Sequence, residues 1–448
     1  MKVFMLGWEF PPHISGGLGT ACYGLTKGLD EIGVEVSFVL PVAIPVGAES
    51  HVKLQSPALL PPSGADEGNA DEVPAFEHVE FHQVSAVLRP YARPQSCERP
   101  ADEPRAPQML GAPPASEGFA EAGAPPGEMP AGTFESQGAV TYDGDLMGQV
   151  YKYARLSVEL ASRQQFDVIH AHDWMTFPAA QAVAAASGRP LLVHVHSTEF
   201  DRAGQRLNQQ IYEIERTGMH AAHRVICVSY LTRSIVLERY GVPLKKVRVV
   251  YNAVHAADNG AADAKPIGAG DKIVLFLGRL TMQKGPEYFL RAAKKVVEKF
   301  KDVRFVVAGS GDMISQCVRE VADLKLGRYV TFTGFLRGDD VARIFKLADL
   351  YVMPSVSEPF GIAPLEAISH DVPVIISKQS GVSEVLTHVL KVDFWDIDEM
   401  ANKILAVLRH PPLQKTLRRH GHIEVQKLSW RDSAKKVRDL YAEAIAQA

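Results

Sequence analysis

The sequence predicts an α/β protein that contains two doubly wound parallel sheets. Short apolar segments recur along the chain, and each is followed by a glycine or polar turn and then by a helical pattern. Near-continuous runs of Val, Ile and Leu are typical of parallel strands that helices cover on both faces. The runs form two series, from Val3 to Asn252 and from Ile273 to Ser377. We therefore expect two domains across a cleft, with ligands bound beyond the carboxyl ends of the strands.

The composition excludes several classes of protein. Lys plus Arg number 48 and Asp plus Glu 52, for a formal charge of −4, so the chain lacks the overall basic field of a nucleic-acid-binding protein. The four cysteines form no CxxC motif, which supports neither a disulfide framework nor a zinc site. No apolar run approaches the ~18 residues of a membrane span, and the first run is too short for a signal peptide. These features predict a cytoplasmic protein without a membrane span.

The predicted domains are Rossmann-like and comprise residues 1–255 and 270–428, with a Gly/Ala/Asp-rich linker between them. Residues 45–140 contain 14 Asp or Glu against 5 Lys or Arg, and 16 of the 29 prolines lie between Pro41 and Pro130. The stretch 94–138 has almost no β-branched or aromatic residues with which to build a core. We expect it to be a disordered, acidic, Pro-rich insert within the first domain. The segment 77–88, which precedes it, is compatible with one or two strands.

The first strand leads into Gly16 and Gly17, followed by a helix predicted from about residue 20 to 32. Glycines at this position allow backbone N–H groups to approach an anion at a helix N-terminus. The spacing is not GxGxxG, and no acidic residue follows the next strand, which disfavours a dinucleotide site. A structural turn and a phosphate- or sugar-binding loop both remain open.

Histidines occur in pairs at two predicted strand ends. His170 and His172 end one strand, His194 and His196 end another, and Asp173 follows His172. The i, i+2 spacing places each pair on one face of its strand. We interpret the four as a polar site, although hydrogen-bonded core histidines are the simpler alternative. A metal site is disfavoured because no Cys lies near in sequence and Asp173 would be an awkward ligand.

The second domain carries one basic loop and one acidic segment. Arg279 and Lys284 lie between a strand and a helix predicted at 286–299. A guanidinium fork and an ammonium group suit a diphosphate. Glu358 precedes a helix that begins near Pro364, and Glu366 lies in its first turns. Such carboxylates can bind hydroxyls or transfer protons, or they can simply cap a helix and face solvent.

These motifs in this order resemble the retaining glycosyltransferases of family 4, which have the GT-B fold, and among them the glycogen and starch synthases. The specific matches are WEFPP…SGGLG at the start of the chain, HAHDW at 170–174, GRLTMQKG at 278–285 and the E-x7-E element from Glu358 to Glu366. The resemblance covers residues 1–45 and 140–448.

The resemblance implies a nucleotide-sugar donor, UDP- or ADP-glucose, as substrate, with no metal and no cofactor. Gly16 and Gly17 would line the donor phosphates and the sugar ring, and Arg279 and Lys284 would hold the diphosphate. Leu336 would also contact the donor.

The remaining implied roles concern the sugar, the ribose and the acceptor. Glu366 would bind the ribose hydroxyls. Glu358 would hold the sugar hydroxyls together with the backbone of Phe360, Gly361 and Ile362. His196 would lie near the 6-hydroxyl and the anomeric carbon, and His172 and Asp173 on the acceptor side, where a glucan or another acceptor binds. The helix at 429–448 would cross back to the first domain.

The sequence departs from the family pattern at several places, including the segment 388–396 in place of the usual N-G-x-L-V-x-P, and the departure at Ile14 bears on the choice of donor. The Lys that usually stands two residues before the glycine pair is Ile14 here, and the usual Gly-Gly before Pro-Glu is Ser380-Gly381-Val382-Ser383-Glu384. The resemblance supports sugar transfer from a nucleotide sugar more firmly than glycogen synthesis. Transfer to a lipid or small molecule, isomerisation of a nucleotide sugar and a noncatalytic sugar-binding role remain alternatives. A covalent role for Glu358 would follow the logic of two carboxylates in retaining glycosidases.

Overall fold

The structure is a computed structural model that describes residues 1–11, 16–41, 77–83, 146–204, 206–254 and 270–448. The predicted insert at 94–138, most of the linker and Ile14 lie outside the described residues, so the expectations about them remain predictions.

The first half of the chain forms a seven-stranded sheet in the order β3-β2-β1-β4-β5-β6-β7, with every pair parallel. Its strands are β1 Lys2–Leu6, β2 Glu35–Leu40, β3 Val79–Gln83, β4 Val168–His172, β5 Leu191–Val195, β6 Arg224–Cys227 and β7 Val247–Val249. Central strands β4 and β5 are buried at every position, as expected for strands covered on both faces. The strand expected within 77–88 is β3, at one edge of this sheet.

The second half forms a six-stranded parallel sheet in the order β10-β9-β8-β11-β12-β13. Its strands are β8 Lys272–Leu277, β9 Val303–Ala308, β10 Val330–Gly334, β11 Leu350–Met353, β12 Val374–Ser377 and β13 Leu390–Val392. Both sheets reverse strand order beside their first strand, β1 or β8, so the predicted pair of doubly wound sheets is confirmed. The edge strand β13 is absent from the predicted series because it has only three residues, one of them Lys391.

Helices flank both sheets. Those of the first half are α1 Gly17–Glu31, α2 Leu146–Ala161, α3 Phe177–Ser187, α4 Glu199–Ala203, α5 Gln209–Ala221 and α6 Tyr230–Tyr240. Those of the second half are α7 Pro286–Lys299, α8 Ile314–Asp323, α9 Asp339–Leu347, α10 Ala363–Ser369, α11 Ile397–Arg409, α12 Pro411–Val425 and α13 Trp430–Gln447. Among these described helices, none has both the length and the apolar character needed to cross a bilayer.

The last helix, α13, packs on the first half of the chain. A Cβ atom added to Gly24 of α1 would lie 2.1 Å from the Trp430 ring, and one added to Gly28 would lie 2.5 Å from the Trp430 carbonyl oxygen. Arg224 of β6 also forms an ion pair with Glu443, at 3.3 Å. The two glycines therefore allow α13 to approach α1 closely. The position of α13 agrees with the predicted return to the first domain.

Candidate active site

The basic loop and the first glutamate of the E-x7-E element meet at the carboxyl ends of β8 and β11. Lys284 Nζ lies 2.5 Å from Glu358 Oε2, and the Ser355 hydroxyl donates to the same oxygen at 3.2 Å. Glu358 is only 6% exposed, whereas the Lys284 side chain is 23% exposed. The pair thus joins a buried carboxylate to an ammonium group that remains partly exposed. Arg279 lies in the same loop and is partly buried.

Glycine geometry allows this loop to form. Gly285 has φ of +62° and precedes α7, and a Cβ at that position would lie 2.5 Å from the Pro354 carbonyl oxygen. The Val356 N–H donates to the Gln283 carbonyl at 2.9 Å, which ties the basic loop to the segment that carries Glu358. Only glycine satisfies both the backbone angle and the close approach.

The backbone around Glu358 is held by the segment that follows β12. The Glu358 N–H donates to the Gln379 carbonyl, and the Gly381 N–H donates to the Glu358 carbonyl, both at 2.9 Å. The Val382 N–H donates to the Phe360 carbonyl at 2.7 Å. Gly361 has φ of +101°, which turns the chain towards α10. The backbone of the predicted sugar-binding segment 358–362 is therefore held in place by hydrogen bonds to residues 379–382.

Two predicted donor residues lie apart from these contacts. Glu366 is in the first turn of α10 and is partly buried. This burial raises the pKa of its carboxyl to about 7. Leu336 follows β10 and packs against the apolar cluster that also contains Phe360 and Ile362. Among the described contacts, none links either residue directly to the Lys284–Glu358 pair.

Gly16 and Gly17 form the start of α1, three residues earlier than the sequence predicted. Gly16 is the N-cap residue in extended conformation, and a Cβ on Gly17 would meet no atom within 4 Å. The buried carboxylate of Glu9 accepts the Gly19 N–H at 3.1 Å. Glu9 thereby satisfies one of the free N–H groups of this helix end. This role was not predicted, although an acid just after the first strand was a usable signal.

Two histidines of β4, one of β5 and one directly after β5 form one buried group, called here the histidine cluster: His170, His172, His194 and His196. Pairing of the strands places His172 opposite His194. His172 Nδ1 lies 2.9 Å from His196 Nε2. Burial lowers the pKa of His172 to about 3 and that of His196 well below its ordinary value. All four rings are therefore expected to be neutral at neutral pH.

Asp173 fixes the loop after β5. Its Oδ1 accepts the N–H groups of His196 at 2.7 Å and Ser197 at 3.3 Å. Its own φ is +61°, a conformation that an Asp adopts more readily than most residues. Burial raises the pKa of Asp173 to about 7, although the Arg202 guanidinium and the N–H donor of His196 oppose the shift. The predicted acceptor-side residues are thus brought together, and Asp173 positions His196.

Several contacts between the two halves were not predicted. The Ser357 hydroxyl donates to Asp201 Oδ1 at 2.6 Å, which brings α4 against the segment before Glu358. Glu384, beyond β12, accepts the N–H groups of Tyr230 at 2.9 Å and Leu231 at 2.8 Å at the start of α6. A carboxylate of the second half thus caps a helix of the first half. The sequence shows that Glu384 matches the Glu of the family motif. It does not show that Glu384 caps α6 of the first half.

Three family descriptions match successive parts of the chain. "Starch synthase catalytic domain" matches residues 2–85, "Glycosyltransferase Family 4" matches 122–258, and "Glycosyl transferases group 1" matches 261–423. An uncharacterized glycosyltransferase of Methanocaldococcus jannaschii is 28% identical over 463 residues, with 99% of each chain covered. A glycogen synthase of Mycobacterium tuberculosis is 24% identical over 390 residues, covering 86% of this chain and 80% of its own.

Solved structures share the fold. Sucrose-phosphate synthase from Thermosynechococcus elongatus superposes with a TM-score of 0.69 at 18% identity, and all of both chains is covered. HepE from Anabaena, solved in complex with UDP-glucose, gives a TM-score of 0.64 at 16% identity, again over all of both chains.

Together with the two parallel sheets, these matches define the class: the chain is a glycosyltransferase with the GT-B architecture. Within that class it is of the glycogen and starch synthase-like type. The resemblance inferred from the motifs is confirmed.

Proposed function

We propose that this glycosyltransferase moves a hexosyl group, first of all glucose, from a nucleotide-diphosphate sugar to a glucan or another acceptor, with retention of anomeric configuration. The observation that carries the proposal is the Lys284–Glu358 pair at the strand ends, with Arg279 in the same loop. Support comes from the UDP-glucose complex of the Anabaena protein and from the relative named glycogen synthase. The nucleotide sugar is the substrate, and no resident cofactor belongs to the proposal.

Arg279 and Lys284 would bind the donor diphosphate. Departure of the diphosphate concentrates negative charge on its oxygens, and fixed cations stabilise that charge most strongly in the transition state. Lys has three N–H donors, of which the contact with Glu358 uses one. The other two would remain for phosphate oxygens. These two side chains supply the positive charge that leaving-group departure requires.

The sugar and the ribose would be held by the E-x7-E element. Glu358 would accept hydrogen bonds from the sugar hydroxyls, and the backbone N–H groups from Phe360 to Ile362 would donate hydrogen bonds to the hydroxyl oxygens. Glu366 would accept hydrogen bonds from the ribose hydroxyls. The hydrogen bonds from Gly381 and Val382 keep the 358–362 segment in place before the donor binds, which lowers the entropic cost of binding.

Retention would come from attack on the face that the diphosphate leaves, with a diphosphate oxygen as the base. The Lys284 ammonium and the Ser355 hydroxyl both donate to Oε2 of Glu358, and such charge-assisted hydrogen bonds lower the electron density that the carboxylate has available for covalent attack. The geometry therefore favours a binding role for Glu358. His196, held by Asp173 and His172, would face the sugar at the acceptor side.

A cytoplasmic location belongs to the same proposal. Cys22, Cys227 and Cys317 are free thiols and are buried, as suits a protein of a reducing compartment.

The test is release of nucleoside diphosphate from a panel of UDP-, ADP- and GDP-sugars, each with and without a glucan primer. We expect release from a glucose donor to rise with glucan, and the anomeric proton of the product to show the configuration of the donor. Stimulation by a lipid or small-molecule acceptor but not by glucan would reassign the acceptor. Absence of release with every donor and acceptor would support the noncatalytic alternative and refute the proposal.

A further inference from the structure

The histidine cluster carries a feature that sugar transfer does not explain. His170 and His172 are 0% exposed and His194 is 2% exposed. Within the described part of the chain, His170 Nε2, His172 Nε2 and both ring nitrogens of His194 have no hydrogen-bond partner. Leaving a buried polar atom without a hydrogen bond destabilises the folded state, and native proteins rarely leave several such atoms together. A ligand that accepts nitrogen lone pairs would remove this cost.

The hydrogen bonds of His170 and His172 involve Nδ1 in both rings, and among the described residues Nε2 has no partner in either ring. His170 Nδ1 lies 2.6 Å from the Tyr441 hydroxyl of α13, and His172 Nδ1 lies 2.9 Å from His196 Nε2. In the tautomer in which Nδ1–H donates, each bond fixes its ring through Nδ1 and leaves the lone pair of Nε2 available to a metal ion. Histidines that bind metal ions show this pattern, in which the second nitrogen is held by an outer partner.

The ring positions also fit a metal ion. One nitrogen from each of His170, His172 and His194 lies within 4.8 Å of the other two. The ring centroids are 4.4, 5.4 and 5.3 Å apart. Three imidazoles bound to one tetrahedral zinc at about 2.0–2.1 Å have centroids roughly 5 Å apart. The ring planes are inclined to one another by 32°, 11° and 28°, so the rings have to rotate on metal binding to direct their nitrogens to one point.

We propose that His170, His172 and His194 bind one structural divalent transition-metal ion, with zinc expected. Neutral imidazole is a common ligand for zinc. The spacing along the chain argued against a metal because no Cys lay near, but the fold brings the two histidine pairs together across β4 and β5. Through Tyr441 the ion would also strengthen the contact of α13 with the first sheet.

A second group of possible ligands shares one residue with this one. Cys22 of α1, His172 and His196 also come within 4.8 Å of one another. The His170 set is favoured because Tyr441 holds His170 and because both nitrogens of His194 lack partners. Substitution of Cys22 therefore separates the two arrangements.

The test is the metal content of the full-length protein, which does not depend on sugar transfer. The wild-type chain and the variants His194→Phe, Cys22→Ala and His82→Asn are produced in zinc-supplemented medium, purified without chelator and analysed by inductively coupled plasma mass spectrometry. We expect about one zinc per wild-type chain and less than about a tenth of that in His194→Phe. Cys22→Ala should keep its zinc. His82 is a buried histidine of β3 outside the cluster, so His82→Asn is the matched control.

A second measurement covers the case in which His194→Phe does not fold. Wild-type protein is unfolded with chelator, freed of metal and refolded with and without equimolar Zn²⁺ or Co²⁺. Uptake of one ion, the visible bands of tetrahedral Co²⁺ and a higher melting temperature with metal would support the site. Wild-type protein that is metal-free both as purified and after refolding would overturn the proposal, and so would loss of zinc in Cys22→Ala.

Discussion

Lys284 and Glu358 are 74 positions apart in the chain, yet their side chains make the contact on which the proposed donor site depends. Each residue could be singled out from its motif, because a basic loop after a strand and an acid before a helix have recognisable chemistry. Their pairing could not be read from the sequence. It requires β8 and β11 to be neighbours in the sheet, which is a property of the strand order.

Substitution of the two cations tests the diphosphate site. Lys284→Ala and Arg279→Ala should each lower kcat by about 10²- to 10³-fold, because each removes positive charge that acts on the leaving diphosphate. Steady-state turnover of the donor found active in the panel measures the effect. Lys294→Ala is the control, since this half-exposed Lys of α7 pairs with Glu298 away from the loop. Near-normal turnover in both variants would contradict the proposal that Arg279 and Lys284 bind the donor diphosphate.

The raised pKa of Glu366 gives a pH test. Its carboxyl has a pKa of about 7 in the folded protein against an ordinary 4.5, so it is mostly protonated at pH 6 and mostly ionised at pH 8. If the carboxylate accepts the ribose hydroxyls, affinity for the donor should rise by up to roughly tenfold over this range. The same shift makes this group's contribution to folding stability fall as pH rises from about 4.5 to 7.

Calorimetric titration with UDP-glucose is the measurement, because its diphosphate diester has no ionisation near neutral pH. In Glu366→Gln the affinity should be lower at pH 8 and nearly independent of pH. Asp173 also has a pKa of about 7, so the difference between wild type and variant isolates Glu366. An unchanged pH dependence of donor affinity in Glu366→Gln would show that another group, and not Glu366, is responsible for it.

At the scale of elements, hydrophobic patterning predicted the sheets well and their edges poorly. Strands of near-continuous apolar residues, such as β8, were located because burial on both faces favours that composition. The edge strand β13 lacks that pattern, since only one of its three residues is fully buried. Helix α1 begins at Gly17 instead of near residue 20 because the Glu9 carboxylate, from another element, caps its first turn.

The contact between α1 and α13 depends on the absence of side chains. Gly28→Ala should lower the free energy of unfolding by about 1–3 kcal/mol, because the new Cβ would lie 2.5 Å from the Trp430 carbonyl oxygen and 3.1 Å from Ala434 Cβ. Urea denaturation measures the change. Gly327→Ala is the matched control, because a Cβ there meets no atom within 4 Å. Equal stability of the two variants would mean that α13 shifts without cost.

At the scale of the whole molecule, the two halves are connected by polar contacts that local sequence signals do not reveal. Glu384 caps α6, and the Tyr251 hydroxyl donates to the same carboxylate at 3.0 Å. The Ser433 hydroxyl donates to the Tyr251 carbonyl at 2.7 Å at the start of α13. Each partner lies more than 130 positions away or is a backbone group, so composition and spacing could not identify the pair.

Removal of the Glu384 cap should loosen the relative orientation of the halves. In Glu384→Ala we expect a larger radius of gyration in solution scattering and weaker donor binding, because loss of the cap on α6 costs about 0.5–2 kcal/mol of the stability of this contact between the halves. Glu424→Ala is a closely matched control. Glu424 accepts the N–H groups of Thr387 and His388, but all three residues belong to the second half. Identical scattering of wild type and Glu384→Ala would show that other contacts set the orientation.

The return of α13 to the first half has a consequence for biosynthesis. Trp430, Ala434 and Tyr441 belong to the same apolar cluster as residues of α1 and β1, although more than 390 residues of chain separate them. When the ribosome has translated β1 to β7, the first sheet and α1 therefore still lack the apolar residues of α13 that pack against them in the folded protein. That apolar surface stays accessible to chaperones or to other nascent chains until codon 441 has been read and its residue has left the exit tunnel. Folding of the first half is completed by residues translated after the second.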